Sequence, residues 1–67
     1  MKLKDFTRIF FTELEVAVRI RDEVVVPHTT ADELALNPEF KDLREMEVFM
    51  VHVGKVRAII TLKEGGR

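Results

Sequence analysis

Two separate stretches of this chain alternate apolar with mainly polar side chains. This feature restricts the possible folds more than any other. The apolar members are Leu14, Val16, Val18 and Ile20 in the first stretch and Val56, Ala58, Ile60 and Leu62 in the second. A period of two is typical of a β-strand with one buried face. A second apolar run lies close to each stretch, at 24–26 and at 46–53. We therefore predict two antiparallel β-hairpins, with the strand at 24–26 ending at Pro27 because proline cannot donate to a ladder.

Helical segments are predicted before and between the hairpins. Four apolar residues of 3–11 fall on one helical face, which predicts a short N-terminal helix over this range: Leu3, Phe6, Ile9 and Phe10. Thr30, followed three residues later by Glu33, matches the capping box that starts a helix. Asn37-Pro38 interrupts that helix and can start a further turn. The predicted fold class is α+β: a short N-terminal helix and two antiparallel β-hairpins separated by a short interrupted helix, in the order α-β-β-α-β-β.

The length of 67 residues predicts one small domain over 1–67, with 63–67 as a flexible tail. A chain this short hides only about 60% of the surface that its unfolded form exposes, so such domains usually need a further support. The sequence has no cysteine, which excludes disulfides and thiolate metal sites. Self-association is then the support we expect.

The overall charge and the apolar runs exclude several classes of partner. The net charge is −1, which gives no global field toward DNA, RNA or an anionic membrane. The longest uninterrupted apolar runs are far shorter than a membrane span, and the N-terminal residues lack the pattern of a signal peptide. We expect a cytoplasmic location and no membrane partner.

No residue set in the sequence resembles an assembled catalytic site. The carboxylates are spread along the chain, whereas paired acid catalysis needs two that face each other across a cleft. His28 and His52 are too few for a zinc site without converging carboxylates. We expect a non-enzyme with no catalytic residues, no metal, no cofactor and no small-molecule ligand.

The third predicted strand is apolar on both of its sides. Simple alternation places Phe49, Val51 and Val53 on one side and Met46, Val48 and Met50 on the other. An antiparallel sheet with one solvated face needs only one such set. The first hypothesis is a patch buried by a second copy or by another protein, made of Met46, Val48, Met50 and Ile59. The alternative is that the middle segment folds over this side.

Basic residues at non-core positions suggest a different function. If the first and last strands are neighbours, one sheet face carries a basic stripe: Arg19, Arg21, Arg57 and Lys63. Such a stripe could bind nucleic-acid phosphates. Against this, no Tyr or Trp interleaves it, and Glu15 and Glu47 offer cross-strand charge pairs. The predicted function is therefore a self-associating, non-enzymatic interaction module, with a small nucleic-acid-binding domain as the alternative.

Four segments of the chain resemble small proteins encoded by phages and prophages of Gram-positive gut bacteria. They are Met1-Lys2-Leu3-Lys4-Asp5-Phe6, Glu15-Val16-Ala17-Val18-Arg19-Ile20, Asp42-Leu43-Arg44-Glu45-Met46-Glu47-Val48 and the final hairpin. The resemblance covers nearly the whole chain and implies a helix, a hairpin, a variable middle and a closing hairpin. This chain departs from the pattern in a tighter first hairpin and a more helical middle. The family has no established activity, so the resemblance implies a setting on a phage or mobile element and no mechanism.

Overall fold

The structure is a computed structural model that describes residues 1–10 and 13–63. Its elements, in chain order, are α1 (Leu3–Ile9), β1 (Glu15–Ile20), β2 (Glu23–Thr29), α2 (Ala31–Leu36), the 3₁₀ helix Pro38–Phe40, α3 (Lys41–Arg44), β3 (Val48–Val53) and β4 (Arg57–Leu62). The predicted α+β fold is confirmed, with a helix before the first hairpin and a short interrupted helical segment between the two. Of the predicted tail at 63–67, residues 64–67 lie outside the described residues, and the backbone N–H of Lys63 donates to the Glu47 carbonyl at 2.8 Å.

The two hairpins form one four-stranded sheet in the order β2-β1-β4-β3. Each hairpin is antiparallel, but the two central strands β1 and β4 run parallel, from Glu15 opposite Arg57 to Ile20 opposite Leu62. Parallel neighbours need a crossover connection, and β2, the helices and β3 supply it. The sheet is therefore mixed.

The helices cover one face of this sheet, which we call the covered face. Leu3 of α1 and Leu34 of α2 are fully buried against strand residues. The buried cluster consists of Leu3, Val16, Val18, Val26, Leu34, Ala58, Ile60 and Leu62. Partly buried Phe6, Phe10 and Phe40 pack at its margin. This layer of helix on sheet is the hydrophobic core.

Side-chain caps lie at the two residues that the sequence predicts as helix starts, although Glu33 does not return a bond to the Thr30 backbone as a full capping box would. The Thr30 hydroxyl accepts from the Glu33 backbone N–H at 3.1 Å, and the Asn37 side chain accepts from the Glu39 N–H at 2.9 Å. The Glu33 carboxylate accepts from the Asn37 side-chain amide at 3.0 Å and so links the two caps. Arg44 donates to the carbonyls of Leu34 and Asn37 at 3.0 and 2.8 Å. These contacts join α2, the 3₁₀ helix and α3 into one unit.

The prediction that the second strand ends at Pro27 is wrong, because β2 continues to Thr29. The ladder between β1 and β2 shifts register between the pairs Val16–Thr29 and Val18–Val26. Pro27 lies in this irregular stretch of an edge strand, where a missing N–H removes no regular ladder bond. The first helix is also shorter than predicted, since α1 ends at Ile9 and residue 11 is not among the described residues.

The N-terminal residues form an additional connection to the start of β3. The N–H of Leu3 donates to the Met46 carbonyl at 2.9 Å, and the N–H of Val48 donates to the Met1 carbonyl at 2.8 Å. Lys2 and Lys4 both reach Glu45, each at 3.2 Å. Hydrogen bonds from these two lysines hold the pKa of the Glu45 carboxyl below its usual value.

Candidate interaction surface on the open sheet face

We call the face of the sheet opposite the helices the open face. The strand registers determine which residues lie on it. Residues alternate across each strand, so those between the buried positions of β1 and β4 point away from the core. Arg19, Thr61 and Met50 are cross-strand neighbours in one row, and Ala17, Ile59 and His52 form the next. Glu15 and Arg57 form the third. No described helix packs on this side.

Apolar side chains lie on the open face in two adjacent rows. Val24 of β2 and Met50 of β3, at the two edges of the row that contains Arg19, are 51% and 56% exposed, high values for large apolar side chains. Ile59 of β4 lies half-buried in the next row. Ala17 is 5% exposed, because its small side chain lies low among longer neighbours.

One end of the open face carries acidic residues. Glu15 accepts an ion pair from Arg57 at 3.3 Å and lies 2.9 Å from Nδ1 of His28. Glu13 lines the same shallow depression as Glu15 and His28. The depression at this end, which we call the acidic end, is thus lined by two carboxylates, of which Glu15 is paired with Arg57.

The other end carries basic residues around a cavity of about 520 Å³. The lining residues are Arg19, Arg21, Asp22, Phe49, Met50, Thr61, Leu62 and Lys63. Three basic side chains face one carboxylate, so this basic end has a net charge of +2. The Asp22 carboxylate lies 3.5 Å from Arg19, a long contact.

The predicted grouping of Met46, Val48, Met50 and Ile59 on one side of the sheet is wrong. Met46 and Val48 pack against the core cluster on the covered face, whereas Met50 and Ile59 lie on the open face. The cause is a register shift in β3 between Val48 and Met50, which reverses the phase of alternation. Burial of Met50 and Ile59 by a partner stays a prediction.

The predicted basic stripe divides into two parts. Arg19, Arg21 and Lys63 line the same cavity, whereas Arg57 lies at the acidic end in contact with Glu15. The stripe was predicted on the condition that the first and last strands are neighbours, and β1 and β4 do pair. The basic side chains nevertheless do not form a continuous row.

Sequence reasoning missed Phe49, which it placed on the core side of β3. The register shift leaves this side chain 67% exposed beside the basic end. Core-facing residues of β3 are spaced three and then two apart, at Val48, Val51 and Val53, and this change of spacing is the only signal that the sequence offers.

The histidines do not meet in the structure. His28 lies on β2 and contacts Glu15, whereas His52 lies on β3, at the opposite edge of the sheet, and faces Ile59. Within residues 1–10 and 13–63, no group of three or more potential ligands is arranged to hold a metal ion.

Comparison of the chain with models of protein families, with curated proteins and with solved structures finds no match. Among the described helices, none has the length and apolar character needed to cross a membrane.

Proposed function

We propose that the chain is a non-enzymatic interaction module that pairs with a second copy through the open face of its sheet. The observation that carries the proposal is a group of uncovered apolar side chains, Val24, Met50 and Ile59, on a sheet face whose two ends carry different charged residues. Burying these side chains supplies the driving force, because it removes apolar surface from water.

The charge distribution favours a second copy of the chain as the partner. A two-fold axis that lies between the two open faces, parallel to the sheets and perpendicular to their strands, brings the acidic end of one copy over the basic end of the other, twice. A two-fold interface requires this kind of self-complementary surface. The same charges oppose the stacking in which like ends meet.

The size of the face indicates a weak dimer. Strands of six or seven residues are about 20 Å long, and four of them span about 19 Å, so the face offers about 400 Å² in projection. Stable complexes commonly bury about 800 Å² per partner. We therefore propose a rapidly exchanging dimer that forms at high local concentration.

Sedimentation velocity across protein concentrations up to about 1 mM tests this proposal, since a weak complex needs such concentrations to form. We expect concentration-dependent dimerisation that Met50→Lys and Val24→Lys each abolish by burying an unpaired charge. Leu36→Lys is the matched control, because Leu36 is 78% exposed on the helical side. A wild-type chain that sediments as a monomer throughout would refute the proposal.

A charge exchange tests the orientation of the two copies. Glu13→Lys and Arg21→Glu should each weaken self-association, since each places like charges opposite each other twice. An equimolar mixture should form a heterodimer, because Lys at 13 then faces Glu at 21 and the two native residues face each other. A mixture no more associated than the separate variants would exclude the two-fold arrangement.

The setting on a phage or mobile element, implied by the resemblance, belongs to the same proposal. Structural or packaging genes beside the coding sequence would support it, and consistent placement among housekeeping genes would contradict it.

A further inference from the structure

We propose that the cavity at the basic end binds a nucleotide unit, free or within a single strand, with its phosphate at the basic side chains and its base on Phe49. The proposal concerns a ligand of the single chain, so it does not rest on the proposed self-association. It draws on three features that meet there: a recess of suitable size, converging basic residues and an exposed aromatic ring.

The recess has the dimensions of a small-ligand site. Its volume of about 520 Å³ lies within the range of about 300 to 1,000 Å³ typical of such sites. Met50, which is 56% exposed, forms an apolar wall, and its cross-strand neighbour Thr61 adds a hydroxyl group. One part of the wall thus suits an apolar ring and another part suits an anion.

Three basic side chains of the lining supply the anion-binding part. Arg21 lies in the β1–β2 turn, Lys63 follows β4, and Arg19 lies on β1 between them. Over the residues that the structure describes, the buried Nε of Arg19 has no hydrogen-bond partner, and its one contact with Asp22 is long at 3.5 Å. The described residues thus pair the Arg19 guanidinium incompletely, and a phosphate could complete its hydrogen bonds.

Phe49 supplies the base-binding part. Its ring is 67% exposed at the rim, although burial in the core would remove that apolar surface from water. Stacking of a nucleobase on an aromatic ring strengthens binding by about tenfold and needs no particular base sequence. An aromatic ring beside converging basic residues suits a ligand with a flat ring and an anionic group.

The β1–β2 turn places the Arg21 side chain at the cavity. Arg21 has φ of 55°, the left-handed region that glycine adopts without penalty. The first position of a two-residue hairpin turn needs such a positive φ, and glycine or asparagine is usual there. This chain has a basic side chain at that position instead, and it lines the cavity.

A single strand or a free nucleotide fits better than a duplex. Bases within a duplex are stacked and paired, so Phe49 could not reach a base face. The net charge of −1 over the chain also gives no broad field for a long duplex. A second copy on the open face would cover the cavity, so nucleotide binding and self-association should exclude each other.

Fluorescence anisotropy with labelled ten-nucleotide single strands of DNA and RNA, at low salt, tests the proposal. We expect saturable binding. A plot of the logarithm of the association constant against the logarithm of the salt concentration should have a slope of about −2, for three phosphate contacts at about −0.7 each. Phe49→Ala should weaken binding about tenfold through loss of stacking. Val56→Ala is its control, since Val56 is 77% exposed in the β3–β4 turn at the acidic end.

Arg21→Gly combined with Lys63→Gln tests the charges without harming the fold, because glycine adopts the positive φ at position 21 without penalty. The salt slope should fall to about −0.7, as expected for one remaining contact. Lys41→Gln, at an exposed position of α3, is the control and should bind like wild type. Urea midpoints for each variant separate a loss of binding from a loss of folding.

Competition assigns the source of the nucleotide. Free nucleoside monophosphates that displace the strand at equal nucleotide concentration would identify a small-molecule ligand, and failure to displace it would identify a single strand. Absence of saturable binding, binding unaffected by Phe49→Ala, or equal binding of duplex or inorganic polyphosphate would each overturn the proposal. A monomeric wild-type chain that still binds strands would refute only the proposed dimer.

Discussion

Leu34 and Leu36 are chemically identical and two residues apart in α2, yet their environments are opposite. Leu34 is fully buried in the core cluster, whereas Leu36 is 78% exposed. Leu34→Ala should cost about 2–5 kcal/mol, because it removes buried methyl groups and leaves a cavity. A domain of this size rarely has more than about 3–5 kcal/mol of stability, so this variant should be largely unfolded at 25 °C. Circular dichroism with urea titration measures the difference.

Leu36→Ala is the matched control in the same helix and should change the urea midpoint very little. Equal destabilisation by the two variants would contradict the packing of α2 against the sheet.

Glu45 gives the fold a predicted dependence on pH. Hydrogen bonds from Lys2 and Lys4 lower the pKa of this carboxyl in the folded state. A lowered folded-state pKa stabilises the protein above the pKa of the unfolded state, and that contribution is lost as the pH falls through the folded-state pKa. The α-amino group of Met1, 2.8 Å from Glu47, lowers the pKa of Glu47 and acts in the same direction. Stability should therefore fall between about pH 5 and pH 3.

Glu45→Gln should reduce this loss. Urea midpoints at pH 7 and pH 3 should differ less in the variant than in wild type, and added salt should shrink the difference between the two proteins because the pairs are exposed. Glu23→Gln, at an exposed position of β2, is the control. An unchanged pH dependence in Glu45→Gln would show that the lysine contacts do not persist in solution.

Single residues were most predictable where their role is local. Thr30 and Asn37 could be identified as caps because a cap depends on a side chain and the backbone two or three residues away. Phe49 could not be placed, because its exposure depends on the pairing of β3 with a distant strand. The convergence of Arg21 and Lys63 likewise depends on which strands are neighbours.

At the level of elements, α2 should depend strongly on its first residue, since six residues are too few for a helix that is stable by itself. Thr30→Ala removes the acceptor for the Glu33 N–H and should cost about 1 kcal/mol. Thr30→Ser retains a hydroxyl acceptor and should recover most of the loss. Thermal unfolding of the three proteins makes the comparison, and an equal melting temperature in all three would contradict the cap.

The strands were predictable in position but not in detail. Alternation located β1 and β4, because a half-buried strand must repeat every two residues, and apolar runs beside them located β2 and β3. It could not locate the register shifts in β2 and β3, since a bulge is decided by cross-strand pairing and changes the phase in the middle of a strand. Because of the shift in β3, Val48 lies on the covered face and Met50 on the open face. The predicted patch, which needed both on one side, is therefore wrong.

For the whole molecule, the α+β class followed from the order of local patterns, but the joining of the hairpins did not. Nothing in the alternation of β1 and β4 distinguishes parallel from antiparallel pairing or one sheet from two. The open face is a consequence of that joining, because a single sheet with all its described helices on one side leaves the other side uncovered.

The parallel pairing of β1 with β4 also affects synthesis of the chain. The two strands at the centre of the sheet are the first and the last to leave the ribosome, so Val16 and Val18 have no central partner strand until Ile60 and its neighbours emerge. Until then β1 and β2 form an isolated hairpin, which is marginal in water. Folding of the sheet should therefore wait until β4 has emerged, with the apolar residues of the first hairpin accessible to chaperones in the meantime.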